Sequence, residues 1–248
     1  MGVHRYLHAS RWNWWVQEDP TVTSFNTLTG TNFPAIRTMV SSLKASGLWD
    51  SLTDIYPLVG STATSQAVNL KTPGVNPLVF VSPGASTFSS LGYNANSLGY
   101  GYCTTAPQKL SSFSLAISVT STALKVSDDV VGLSTAVPFV AVDSKVNYSW
   151  FNSTTYSDII DIGNRIETFT PGGTLYTGTW LLGGNHRVFN DGALMTASPS
   201  AAPAPGLALN FWSVGSNSGR TYNFLAMGTE ISVSAVATLN QIIKAYRP

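Results

Sequence analysis

Charge is scarce in this 248-residue chain: Asp, Glu, Lys and Arg together make up 10% of it, against roughly 25% in an average soluble domain. Thirteen basic and twelve acidic residues leave a net charge of +1. No basic run occurs, so the footprint that a phosphate backbone requires is missing, and nucleic acid is not an expected partner. The single cysteine, Cys103, excludes an intramolecular disulfide and a cysteine metal cluster, and reads as a buried small hydrophobe. No stretch approaches the ~20 apolar residues of a membrane span. The N-terminus, Met1-Gly2-Val3-His4-Arg5-Tyr6-Leu7-His8, has no apolar core of signal-peptide length. The expectation is a chain made in a cytoplasm, outside the general secretory route and with no membrane partner.

Chemical motifs are equally sparse. There is no G-x-S-x-G elbow and no G-x-x-x-x-G-K-[ST] phosphate loop. His4 and His8 stand at i, i+4, the spacing of two metal ligands on a helix, yet no helical pattern surrounds them and no third ligand follows. His186 falls at a strand edge or turn and reads as structural or exposed. Hydrolysis of a glycosidic bond needs two carboxylates across a cleft, and Asp128, Asp129, Asp143, Asp158, Asp161 and Glu167 are available. They are scattered, as solvated surface acids are. Asp128 and Asp129 are adjacent but lack the oxygen-rich spacing of a calcium loop. The chain is expected to be no enzyme and to need no metal or other cofactor.

What is present is Ser, Thr, Asn and Gly, together with 44% apolar and 11% aromatic residues. A surface so poor in charge gains from being covered, which favours assembly with other chains and a homo-oligomer. Residues 34–46 predict a helix: Pro34 suits the first turn, Ile36, Met39, Val40 and Leu43 fall on one face, and Gly47 suits the stop. A second helix is predicted at about 235–246, with Val236, Leu239, Ile242, Ile243 and Tyr246 as its apolar face and Ser234 as its cap. Between them the period switches to two, most clearly in Phe113-Ser114-Leu115-Ala116-Ile117-Ser118-Val119. Further strands are predicted at 55–59, 78–81, 137–142, 146–151, 158–162, 175–182, 207–214 and 222–227, with an Asp191-Gly192 hairpin turn. Many short strands separated by turns indicate a sandwich or barrel, with Leu115, Ile117, Phe211 and Phe224 in its core. The Ala/Pro/Ser-rich stretch 197–206 reads as a surface loop, because 42 residues after it are too few for a core of their own. Glu18-Asp19-Pro20 and Thr29-Gly30-Thr31-Asn32 read as turns.

Two aromatic clusters stand out. Arg11-Trp12-Asn13-Trp14-Trp15 reads either as a sticky arm or sugar platform, or as a strand whose rings are buried against the domain or a neighbouring subunit; Trp12, Trp14 and Trp15 are the assembly candidates. The stretch 91–102 places Tyr93, Tyr100 and Tyr102 beside Asn94 and Asn96, a composition suited to recognition. Those five are the ligand-binding candidates. The alternative is a pair of strands with packed tyrosines.

The first helix with Leu43-Lys44-Ala45-Ser46-Gly47-Leu48-Trp49-Asp50, followed by Ile55-Tyr56-Pro57-Leu58-Val59-Gly60, resembles a recurrent module of bacteriophage and prophage virion proteins. Three further stretches follow in that family's order: Ala67-Val68-Asn69-Leu70-Lys71-Thr72-Pro73-Gly74; the Asn190-Asp191-Gly192 hairpin; and Leu209 to Gly215 with Asn223 to Gly228 before the closing helix. The resemblance covers roughly residues 34–248. It implies a mainly β, concanavalin A-like (laminin-G-like) jelly-roll sandwich with short flanking helices; residues 1–33 lie outside it and read as an N-terminal aromatic attachment segment. It carries no catalytic set. It implies a virion structural protein on the capsid or tail, assembled in the host cytoplasm and bound to other virion proteins. The alternative is a lectin-like receptor-binding module of a tail fibre that holds host-surface glycans at the sandwich rim.

Overall fold

The protein is described here from a computed structural model, which defines residues 18–81, 86–95, 100–103, 112–120, 129–132, 139–142, 148–152, 155–160, 174–181, 186–190, 192–198, 213–214 and 221–246. The architecture is mainly β with a few helices. Helix α1, Pro20–Thr29, opens the described chain where the sequence pattern predicted only turns. Asp19 caps it by accepting the Thr21 amide at 3.0 Å, Pro20 occupies the first turn, and Gly30, at φ +67°, ends it. The two apparent turns are thus its cap and its stop. Thr and Val give the segment low intrinsic helicity, and burial of Val22 and Phe25 supplies what propensity does not.

Helix α2, Pro34–Ala45, buries Ile36, Met39, Val40 and Leu43 as its periodicity predicts. Gly47, at φ +74°, breaks the chain into the single turn α3, Leu48–Ser51, which the sequence pattern did not reveal. Ion pairs Arg37–Glu18 (2.8 Å) and Lys44–Asp19 tie the start of α1 to α2. Strand β1, Leu52–Tyr56, stops before Pro57. The one-turn helix α4, Ala63–Gln66, is held by a capping box between Thr62 and Ser65.

The remaining strands are β2 Leu78–Val81, β3 Ser86–Ser89, β4 Gly92–Ala95, β5 Tyr100–Cys103, β6 Ser112–Thr120, β7 Asp129–Gly132, β8 Phe139–Val142, β9 Tyr148–Asn152, β10 Thr155–Ile160, β11 Thr174–Leu181, β12 His186–Asn190, β13 Ala193–Ser198, β14 Ser213–Val214 and β15 Thr221–Gly228; helix α5, Val233–Tyr246, closes the chain. Among the described residues the largest sheet runs β13-β12-β11-β6-β15-β4-β3, with β1 added along β15. Smaller sheets run β10-β9-β8-β7 and β14-β5-β2. Residues 190 and 193 pair across the predicted hairpin, and Gly192 takes φ +81°.

Helices cover one face of the large sheet. Ser114, Ala116 and Ser118 of β6 are buried, and their small side chains let the helical layer approach closely. Ala116 shares one core cluster with Val22 and Phe25 of α1, Leu43 of α2, Phe224 and Ala226 of β15, and Leu239 and Ile243 of α5. Val22 and Phe25 of α1 thus pack in the same core as α2, β15 and α5. The cap of α5 is Ser232 rather than Ser234: its Oγ accepts the Ala235 amide at 3.2 Å, and Ser234 shares a hydroxyl contact with it at 2.9 Å. Phe224 is buried as expected. Phe211 and the side chains of Leu115, Ile117 and Cys103 lie outside the described residues, as do residues 199–212.

Candidate functional site

In the run Ile55-Tyr56-Pro57-Leu58-Val59-Gly60, the residues just past the end of β1, Pro57 to Val59, line a cavity of about 280 Å³. Pro57, Leu58 and Val59 form one wall, Phe33 and Ala35 at the start of α2 a second, and Ala245 and Tyr246 at the end of α5 a third. Ser90 and Leu91, the turn between β3 and β4, form the lip, and Asn223 of β15 completes the lining.

Three backbone irregularities converge on this cavity. Leu58 sits at φ +50°, a left-handed conformation that costs a bulky residue about 1–3 kcal/mol and persists only where the surroundings impose it. The pairing of β15 with β6 slips between Tyr222 and Phe224, so Asn223 lies in a bulge, the device by which a strand re-aims one side chain. Gly92, at φ +127°, lies so close to the bulge that a Cβ would stand 2.1 Å from the Tyr222 carbonyl oxygen. The turn bearing Leu91 is thereby pressed against β15.

Asn223 is 5% exposed, and its Oδ1 has no hydrogen-bond partner. A buried acceptor left unsatisfied costs about 1–3 kcal/mol. Tyr246 donates from its hydroxyl to the Pro57 carbonyl at 3.0 Å, and burial pushes its phenol far above the ordinary tyrosine value. Leu91 is 60% exposed at the mouth. The cavity is therefore lined mainly by apolar residues.

Beneath it a polar network joins the two motifs that lead the family resemblance. The Asp54 carboxylate, 6% exposed, accepts from Asn69 Nδ2 at 2.8 Å and from Asn76 Nδ2 at 2.7 Å. Asn69 Oδ1 accepts the Ile55 and Lys71 amides at 3.2 and 3.0 Å, and the Leu70 amide donates to the Ile55 carbonyl at 2.7 Å. The Tyr56 hydroxyl donates to the Asn76 carbonyl at 2.6 Å. This network pins the 69–76 segment along β1 and is architectural.

Two lysines bracket Trp49. Lys71 Nζ lies 4.4 Å and Lys44 Nζ 5.0 Å from its ring centroid, within cation–π range, and Lys71 also donates to the Trp49 carbonyl. Partial burial lowers the Lys71 ammonium below its ordinary value; Asp50 opposes this and Lys44 adds to it. Lys44 is committed to Asp19. A second, more open apolar cleft of about 430 Å³ lies between Leu28, α4 and the start of β2, with Leu28 and Val75 exposed.

Of the ligand-binding candidates, Tyr93 and Asn94 lie in β4 and Tyr100 and Tyr102 in β5. The stretch thus contains two strands, which lie in different sheets and do not pair with each other. Tyr93 is fully buried, its ring 4.7 Å from Phe80 and 5.3 Å from Phe88, with its hydroxyl 3.1 Å from Ser86 Oγ. Burial raises its phenol, opposed by that hydrogen bond. It offers no face to a ligand and packs the sheet instead. Asn94 Nδ2 donates to Thr221 Oγ1 at 3.4 Å. Asn96 and the side chains of Tyr100 and Tyr102 lie outside the described residues, as do Trp12, Trp14, Trp15, His4, His8 and Asp128. Among the described residues no three His, Cys, Asp or Glu side chains gather to hold a metal ion, and no helix is long and apolar enough to cross a membrane.

The bulge cavity carried no sequence signal. Asn223 is one asparagine among many, and Leu58 is a leucine where glycine would have announced the positive φ.

No protein-family model and no curated protein matches the sequence. Among solved structures the chain is similar to the botulinum neurotoxin serotype D binding domain, at 11% identity and TM-score 0.57 over 78% of this chain and 51% of that one. It is also similar to Domain 4 of AbnA, a GH43 extracellular arabinanase from Geobacillus stearothermophilus, in complex with arabinotriose, at 13% identity and TM-score 0.53 over 77% of this chain and 98% of that one. A third is a structure of botulinum neurotoxin type C, whose cell entry depends on two ganglioside molecules, at 12% identity and TM-score 0.54 over 80% and 53%. The chain spans about half the length of the two neurotoxin structures and nearly all of the arabinanase domain. At such identities the likeness is one of fold.

Proposed function

We propose that this chain is a non-catalytic, lectin-like module with a concanavalin A-like jelly roll, which binds glycans on a host surface as part of a bacteriophage particle. The observation that carries the reading is the likeness to Domain 4 of AbnA over nearly its whole length, a domain solved with a bound trisaccharide. The ganglioside dependence of the type C neurotoxin supports the same ligand class. The phage setting rests on the ordered resemblance over residues 34–248.

We assign the sugar contacts to Asn94, Asn96, Tyr100 and Tyr102, with Tyr93 as the buried support that orders β4. Tyrosine faces pack on the apolar face of a pyranose, and amides satisfy its hydroxyls. Saturation-transfer NMR of the full chain with oligosaccharides from bacterial capsules and O-antigens tests the reading. Transfer to ring protons, lost in a Tyr100→Ala/Tyr102→Ala variant that keeps its fold, is the expected result. Transfer to no member of the panel, or release of new reducing ends, overturns it.

One observation favours a second role. The open cleft beside exposed Leu28 and Val75 is an apolar surface suited to a protein partner, as virion assembly or a homo-oligomer would require.

A further inference from the structure

We infer that Lys44, Trp49 and Lys71 form a binding site for a carboxylate-bearing sugar, with both ammoniums on the carboxylate and the indole beside the sugar ring. The inference rests on the glycan reading and goes beyond it, adding a second set of contacts and naming an acidic residue within the glycan.

The observation is a convergence of two like charges on one aromatic ring. Lys71 Nζ lies 4.4 Å and Lys44 Nζ 5.0 Å from the Trp49 ring centroid. The ammoniums therefore stand no farther apart than about 10 Å, one Debye length at moderate salt. They come from separate parts of the chain: Lys44 from α2, and Lys71 from the segment whose amide Asn69 Oδ1 accepts at 3.0 Å. Each side chain is also pinned. Asp19 holds Lys44, Lys71 donates to the Trp49 carbonyl, and the half-buried Trp49 ring packs against the core. Two long side chains are thus ordered before a ligand arrives, which lowers the cost of binding.

The two charges are unequally compensated. Lys44 has a carboxylate partner in Asp19, whereas among the described residues Lys71 has none within hydrogen-bond distance. Exposed Asp50 favours the Lys71 charge only through space, and burial and Lys44 oppose it. An ammonium carries three donors, so each lysine keeps donors for a ligand. A carboxylate accepting from both at about 2.8 Å per bond bridges ammoniums roughly 5–8 Å apart, inside that limit. It supplies the negative charge that Lys71 lacks, and the indole gives the carbon face of a pyranose an apolar surface. A neutral sugar offers neither ammonium an anion.

The test follows the Trp49 indole N–H signal, assigned by its loss in Trp49→Phe, in proton–nitrogen correlation spectra of the full chain. Galacturonate, glucuronate and N-acetylneuraminate are titrated at constant ionic strength beside galactose, glucose and inorganic phosphate. A saturating shift with a sugar acid, absent with the neutral sugars, is the expected result. Lys71→Met, which keeps the stem and removes the charge, should weaken that binding at least about tenfold, and Lys71→Arg should retain most of it. No shift with any sugar acid overturns the inference, as does equal affinity for the neutral sugars or for phosphate, or unchanged affinity in Lys71→Met. The comparison of acid with neutral sugars uses the unaltered chain, so it decides even where a substituted chain fails to fold. Neutral glycans that saturate through Tyr100 and Tyr102 while no acid shifts Trp49 would overturn this inference and leave the glycan reading standing.

Discussion

Asn69 binds Asp54 as a strand partner and a counter-dipole at once: its Nδ2 donates to the buried carboxylate at 2.8 Å while its Oδ1 accepts the amide of Ile55, the next residue of β1, at 3.2 Å. Among the described residues its hydrogen-bond donors are the Asn69 and Asn76 side-chain amides and the Thr53 hydroxyl, and none is a cation. Each donor therefore carries much of the cost of keeping that group out of water. Asn69→Leu, similar in size, should destabilise the fold by about 2–4 kcal/mol. In an Asp54→Asn background the same change should cost less, since no buried charge is stranded. Urea midpoints of the four proteins give the coupling, and a coupling of zero contradicts the account.

Two glycines with positive φ should behave oppositely. At Gly92 a Cβ meets the Tyr222 carbonyl oxygen at 2.1 Å, whereas at Gly30 nothing lies within 4 Å. Gly30→Ala pays only for its left-handed backbone, about 1 kcal/mol. Gly92→Ala must push β4 from β15 and should cost more than about 3 kcal/mol or prevent folding. Thermal melts of both variants make the comparison.

The contrast between those glycines also marks how far the sequence could be read. Helices α2 and α5 were legible because Ile36-Met39-Val40-Leu43 and Val236-Leu239-Ile243 repeat at helical spacing. Strand β6 was legible from its alternation. Helix α1 was hidden by threonines that favour extended backbone, although Asp19-Pro20 and Gly30 spelled out its ends. Tyr93 was ambiguous because tyrosine beside glycine and asparagine fits a recognition loop as well as a packed strand; burial against Phe80 and Phe88 decided it. The bulge cavity was illegible, since its walls come from five separated segments and its strain falls on a leucine.

Asp19 makes helix α1 sensitive to acid. Burial raises its carboxyl, but the Lys44 hydrogen bond and the Thr21 amide outweigh this, and the folded group lies below its ordinary value. A carboxylate depressed in the fold stabilises it above the unfolded pKa, near 3.9, and loses that contribution as pH falls through the folded value. Asp19→Asn keeps a good cap and removes the charge. The stability gap between the two proteins should be open at pH 6 and close as pH falls below about 4. A gap that is constant from pH 6 to 2 would contradict the assignment.

At the alkaline end two phenols are held neutral. Burial raises both Tyr93 and Tyr246. A phenol raised in the fold contributes stability that is complete below the unfolded pKa, near 10, and is lost as pH climbs past it. Spectrophotometric titration of the ten tyrosines should show a fraction that ionises only as the protein unfolds. Tyr246→Phe loses the bond to the Pro57 carbonyl, about 1 kcal/mol, and should flatten the alkaline loss of stability. Titration of every tyrosine in one step near pH 10, with the fold intact, would contradict these placements.

Glycan recognition is most directly tested by probing the full chain on an array of bacterial polysaccharides and sialylated oligosaccharides at increasing protein concentration. The account predicts saturable binding to a restricted set of structures, competed by the free oligosaccharide and lost in the Tyr100→Ala/Tyr102→Ala variant. Uniform absence of signal across the array, or binding that neither saturates nor competes, would contradict it.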